Sequence, residues 1–269
     1  MSSVFDLPLN VLPGPEGPRG FGPPVERKGF TLRLASGRDE LRALERLRAL
    51  CFRGDANAND ADRHDAGSAH LWIARRGGLP MATLRLSHHT DRASLLDGYS
   101  AGFFDLTPMA RLQGSTMELG RLCLHPRAPA AEMMRLIWTG IARMSAQSGA
   151  QRLIGVTSLG GADPARHRAV LAHLAGQHLG PEGCRPAAWA QGAHRFGHLP
   201  GTHAANAPAL PPILRFYMSL GGWVSDQLAI DRELDTCILF TCVEIAGMPA
   251  ARQRLMRALA DAPGNESGT

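Results

Sequence analysis

The sequence predicts an α/β fold in the broad α+β sense: one central mixed β-sheet flanked by helices on both faces. Two observations predict it. Short strand-like segments are interleaved with segments whose apolar residues recur every three or four positions. The stretch Met117 to Gly149 also holds a whole strand–helix unit. A strand-like run, Met117 to Leu124, is followed by a break at His125-Pro126-Arg127 and small residues from Ala128 to Ala131. A helix then carries Met133, Ile137, Ile141 and Met144 on one stripe. Such a unit can point free backbone N–H groups at an anion, and an ordinary unit that binds nothing has the same signature.

The other elements follow in order. Residues 1–28 contain Pro13, Pro15, Pro18, Pro23 and Pro24 and read as an extended arm without a core. Phe30 to Leu34 alternates as a strand. Ser36 is placed to cap a helix from about Arg38 to Phe52, whose Leu41, Leu44, Leu47 and Cys51 keep helical spacing. The polar loop Arg53 to Gly67 holds Asp55, Asp60, Asp62 and Asp65. It lacks the central Gly and terminal Glu of a calcium-binding EF-hand, leaving a solvated loop or an acidic site for a cationic amine. His70 to Ala74 and Met81 to Leu86 read as strands joined at Gly77-Gly78, with His88 and His89 in the loop beyond. Phe103 and Phe104 are expected to anchor the connection 91–115 in the core.

Arg152 to Thr157 reads as a strand. Asp163-Pro164 starts a helix, with His167, His173 and His178 too unevenly spaced for a zinc site. Residues 180–210 form a polar excursion, Pro211 to Val224 a helix and Cys237 to Ile245 a closing strand. The domain spans 29–247. Residues 248–269 add a basic helix, with Arg252, Arg254 and Arg257, that either rests on a membrane surface or is solvated.

Composition narrows the function classes. The 269 residues are 44% hydrophobic, enough for a full core. Net charge is +5, which suits an acidic partner: nucleic acid, an anionic membrane surface or an acidic carrier protein. Aromatics are only 6% and interleave with no basic tract, so nucleic acid is the weakest of the three. Five cysteines without a CxxC pair argue against disulfides and zinc and for a reducing cytoplasm. The lack of any apolar run of about 18 residues argues against a membrane span, and the N-terminus shows no secretory pattern.

As an ordered set, RALCF (Arg48 to Phe52), the DRHD loop (Asp62 to Asp65), Arg85 and ELGR (Glu118 to Arg121) resemble acyl-homoserine lactone synthases, a branch of the GNAT superfamily. ELGRLCLHP (Glu118 to Pro126), RLIWTGIA (Arg135 to Ala142), ADPARHRAVLAHL (Ala162 to Leu174), PALPPILRFYMSLGGWV (Pro208 to Val224) and AIDRELDTCILF (Ala229 to Phe240) resemble a sister branch more closely, the L-ornithine N(alpha)-acyltransferases of ornithine lipid synthesis. The resemblance covers roughly residues 30–246.

It implies a GNAT-like fold. It also implies transfer of a 3-hydroxy fatty acyl group from acyl carrier protein to the α-amine of ornithine, giving lyso-ornithine lipid. No cofactor or metal is implied beyond the donor's own acyl-phosphopantetheine. The partners implied are the carrier protein and the amino acid, in the cytoplasm or at the cytoplasmic face of the inner membrane. Other readings are the same reaction on glutamine or another amino acid, a lactone synthase using S-adenosylmethionine, and a non-catalytic binding module.

An α-ammonium must lose a proton before it attacks, and Glu118 is read as the base that takes it. Its alternative is a strand-end salt bridge with Arg121. Arg121 is the second catalytic residue implied, and a break near Gly120 is needed if both act in one site. A backbone N–H near Leu122 would hold the oxyanion. Arg48, Phe52, Arg85 and Phe104 are implied near the acceptor. Asp62 and Asp65 would hold a cationic substrate or fix Arg48 and Arg85 in place. Arg127 and the backbone of Ala128, Ala130 and Ala131 would bind the donor phosphate. The turn is Ala-Pro-Ala-Ala rather than Gly-rich, and Pro129 has no N–H, which favours a carrier-protein donor over coenzyme A. Arg127, Arg135, Arg143, Arg152, Arg166 and Arg168 are candidates for the carrier's docking surface.

Overall fold

A computed structural model of the chain describes residues 21–189, 192–200 and 208–262. Its first elements are β1 (Val25–Arg27), β2 (Phe30–Leu34), α1 (Gly37–Arg53), β3 (Ala69–Arg75) and β4 (Pro80–His89). Next come α2 (Arg92–Leu96), β5 (Phe104–Asp105), β6 (Thr116–Leu124), α3 (Ala130–Ser148), β7 (Arg152–Gly160) and α4 (Arg168–Gln177). The last are β8 (Ala187–Ala188), β9 (His194–Arg195), α5 (Pro212–Ser219), β10 (Trp223–Asp231), β11 (Thr236–Glu244) and α6 (Ala250–Ala260). One mixed sheet takes the order β1-β2-β3-β4-β6-β7-β11-β10-β9, and β5 pairs with β8 separately.

The chain gathers into two units. Of the described residues, one comprises 21–85, 121–140 and 262; the other comprises 86–120, 141–189, 192–200 and 208–261. In the first unit β1, β2 and β3 run antiparallel. The arm's last residues are therefore not an extended tail: Lys28 and Gly29, both at positive φ, form the two-residue turn that matches strand twist. Phe21 and Val25 are buried. The earlier part of the arm, residues 1–20, lies outside the described residues.

Helix α1 buries Leu44 and Leu47, and Leu44 packs against Trp72 and Ala74 of β3. Ser36 stands at its N-cap, but the bond runs the other way: the Glu40 carboxylate accepts from the Ser36 N–H at 2.6 Å.

In the second unit β6 runs parallel to β7, and β7, β11, β10 and β9 continue antiparallel. Phe104 is in the core as expected, 5.8 Å from Phe240 between ring centroids. Strand β10 corrects the sequence reading. Helix α5 ends at Ser219, the chain turns at Gly221-Gly222, and Trp223 and Val224 pair with β11. Asp163 does receive the N–H of Ala165, but it starts a 3₁₀ turn, and α4 begins only at Arg168. His88 and His89 close β4 rather than lying beyond it. No described helix is long and apolar enough to cross a membrane. Arg252, Arg254 and Arg257 lie on α6, whose Leu255 is exposed.

Candidate active site

Glu118, on β6 in the second unit, is only 3% exposed. A carboxylate can stay ionised there only if its oxygens are satisfied, and they are. One oxygen accepts from the backbone N–H of Tyr99 and lies against His89 Nε2, both at 3.0 Å; the other accepts from the Ser100 N–H at 2.6 Å. Burial by itself would raise the Glu118 pKa, but the hydrogen bonds from His89 and Ser100 outweigh it and hold the group below the ordinary carboxylate range. An ionised carboxylate only accepts, so His89 Nε2 carries the proton of this contact. Gly98 makes room for the pair: a Cβ there would stand 2.9 Å from the Glu118 carboxylate and 3.1 Å from the His89 ring.

The proposed Glu118–Arg121 salt bridge is not what satisfies Glu118. Strict alternation along β6 does break, at Arg121, whose φ of 52° lies in the left-handed region that side chains seldom adopt. The ladder with β7 ends just before, at Leu119. Leu122 is half-buried immediately after the break.

In the first unit, Arg48, Arg85 and Arg121 meet Asp60, Asp62 and Asp65. Arg48 is fully buried, with two bonds to Asp65 at 2.9 and 2.6 Å, one to the Asp60 carboxylate at 2.8 Å and one to the Asp60 carbonyl at 2.9 Å. Arg85 binds Asp62 at 2.5 Å and Asp65 at 2.9 Å. Arg121 reaches Asp62 at 3.1 Å and lies over the half-exposed ring of Phe52, 5.7 Å from its centroid. Burial opposes ionisation of Asp62 and Asp65, yet Arg85 and Arg48 hold both well below the usual range. These acids are engaged by arginines, so the polar loop is neither merely solvated nor an open site for an amine. It fixes Arg48 and Arg85 in place.

Of the donor-site candidates, Arg127 is exposed and the Ala128 N–H is taken by the His125 carbonyl at 2.8 Å. Ala130 and Ala131 open α3, with the unpaired N–H groups of any first turn. Two docking candidates are corrected: Arg143 and Arg152 are buried, whereas Arg127, Arg135, Arg166 and Arg168 are exposed.

Sequence reasoning missed His89, the Tyr99 and Ser100 amides and Asp60 as part of the arginine cluster. Asp60 carried a signal, since it stands two positions before Asp62 in the same acidic loop. His89 carried none, because a His after a strand pattern is usually exposed.

Residues 48–139 match the acetyltransferase (GNAT) domain family. The chain is 29% identical over 241 residues to the L-ornithine N(alpha)-acyltransferase of Rhodobacter capsulatus, covering 81% of this chain and 91% of that protein. It is 27% identical over 242 residues to the enzyme of the same name from Brucella abortus, covering 80% and 84%. Among solved structures, the AHL synthase LasI aligns over 80% of this chain and 89% of its own, at 15% identity and a TM-score of 0.42. Residues 48–139 thus match a GNAT domain, and the chain is similar over about four-fifths of its length to curated L-ornithine N(alpha)-acyltransferases.

Proposed function

We propose that the protein transfers a 3-hydroxy fatty acyl group from acyl carrier protein to the α-amine of ornithine. The observation that carries the reading is the buried His89–Glu118 pair, a proton acceptor held ionised at the residue the family resemblance selects as base. The α-ammonium loses one proton to this pair, the resulting amine attacks the thioester carbonyl, and the second proton that nitrogen sheds is the one the leaving thiolate takes up. A C–N bond forms, the C–S bond breaks, and the phosphopantetheine thiolate leaves and is protonated.

A protein donor rather than a free coenzyme is supported by the first unit. A cavity of about 370 Å³ is lined by Leu47, Leu50, Leu79 and Met81 and edged by Arg46 and Arg127. Leu79 is 78% exposed. An apolar spot ringed by cations suits an acidic carrier helix.

The test is transfer by purified protein from matched 3-hydroxyacyl carrier protein and 3-hydroxyacyl coenzyme A to a panel of amino acids. The expected product is N-(3-hydroxyacyl)ornithine, formed mainly from the carrier thioester. Equal use of coenzyme A would overturn the donor, and preference for glutamine would overturn the acceptor. In the same assay Gly98→Ala should lose about 10- to 100-fold in kcat by displacing the His89–Glu118 pair, with an unchanged circular dichroism spectrum. A wild-type rate would mean that this spacing is irrelevant to turnover.

A further inference from the structure

A second polar feature adjoins His89 within the second unit. A cavity of about 130 Å³ is lined by His89, Leu112 and Thr116, by Arg152 at the start of β7, and by Asp91 and Arg92. It has room for roughly four waters at about 30 Å³ each, too little for an acyl chain and enough for the head of an amino acid. The exposed Asp91 and Arg92 offset each other, so the cavity's charge comes from Arg152.

Arg152 is 7% exposed, and Nη2 is committed to the carbonyls of Gln113 and Gly114 at 2.7 and 2.9 Å. Its Nε is buried without an acceptor. Its cross-strand neighbour Glu244 is exposed, and no carboxylate among the described residues pairs with it. A buried guanidinium with an unused N–H and no counter-ion is costly unless something anionic completes it. The other wall offers His89, whose Nδ1 has no hydrogen-bond partner among the described residues while Nε2 is held by Glu118.

We infer that this cavity seats the head of the acceptor amino acid, Arg152 taking the α-carboxylate and His89 taking the proton that the α-ammonium gives up. This rests on the N-acyltransferase reading and adds the site where the acceptor is recognised. His89 is then the group that touches the amine, and Glu118 acts through it. Arg152 becomes a specificity-determining residue rather than part of a docking surface.

The test compares ornithine with its α-carboxamide as acceptors, on wild type and on Arg152→Met. Wild type should prefer the acid by about 10- to 100-fold in kcat/KM, the value of one lost charge-assisted contact in a dry site. In Arg152→Met the two compounds should react within about 3-fold of each other, through a raised KM for the acid. The amide's more readily deprotonated amine cancels, because the same two compounds are used on both proteins.

Retention of the wild-type preference by folded Arg152→Met would overturn the site and leave the transferase reading standing. Acylation of neither compound by wild type would remove both. Arg152 also anchors the 113–114 turn, so Ala110→Leu is the companion variant: it narrows the same cavity without touching that anchor. It should raise the KM for ornithine at least about 10-fold, and an unchanged KM would count against the site.

Discussion

Replacing Glu118 with glutamine is expected to cut turnover by roughly two to four orders of magnitude, the usual cost of removing a general base or the group that orients it. Glutamine keeps the shape and loses the charge that makes His89 Nε2 a donor. It must also place an NH₂ group among the Tyr99 and Ser100 N–H donors, where an acceptor is needed. Some stability should go with it, about 1–3 kcal/mol for an unmet donor. Urea unfolding therefore belongs beside the kinetics, so that a slow enzyme is distinguished from an absent one. A folded variant turning over at the wild-type rate would place the base elsewhere. The wild-type carboxylate is held below its ordinary range, so it stays ionised across neutral pH. Its contribution to stability is present above the unfolded value of about 4.3 and is lost as pH falls through the folded one.

Asp65→Ala should have the largest effect on stability, about 3–5 kcal/mol. Asp65 binds both Arg48 and Arg85, so its removal takes a carboxylate from two buried guanidinium groups at once and leaves Arg48 with Asp60 and Arg85 with Asp62. The urea midpoint should fall accordingly, and a shift under about 1 kcal/mol would show that the cluster relaxes or admits water. The same arginines depress Asp62 and Asp65. Their stabilisation is thus complete above the unfolded aspartate value of about 3.9 and disappears only as pH falls below it. Thermal melts should accordingly be flat in this contribution from pH 7 to 5 and decline below about 4.

Much of the fold was legible because its signals are local. The stripe of α3, the strand before it and the alternation of β2 each need only neighbouring residues to be read. Strand β10 was not, because Pro211 to Val224 keeps an apolar pattern through the end of α5, and only the turn at Gly221 separates helix from strand. Burial of a charge is less legible still. Arg152 and Arg143 look like surface in the sequence, since nothing local records what packs over them. In the candidate site, Glu118, Arg48, Arg85, Arg121, Asp62 and Asp65 were singled out through resemblance. His89 was missed because its importance lies in a contact with a residue 29 positions away.

The most direct test of the central claim is lipid mass spectrometry of a host that makes no amino-acid lipids, with and without this protein. The account predicts a new N-(3-hydroxyacyl)ornithine that is absent when Glu118→Gln replaces the wild type. No new lipid from a folded, expressed wild-type chain, or an acyl-homoserine lactone in its place, would contradict it.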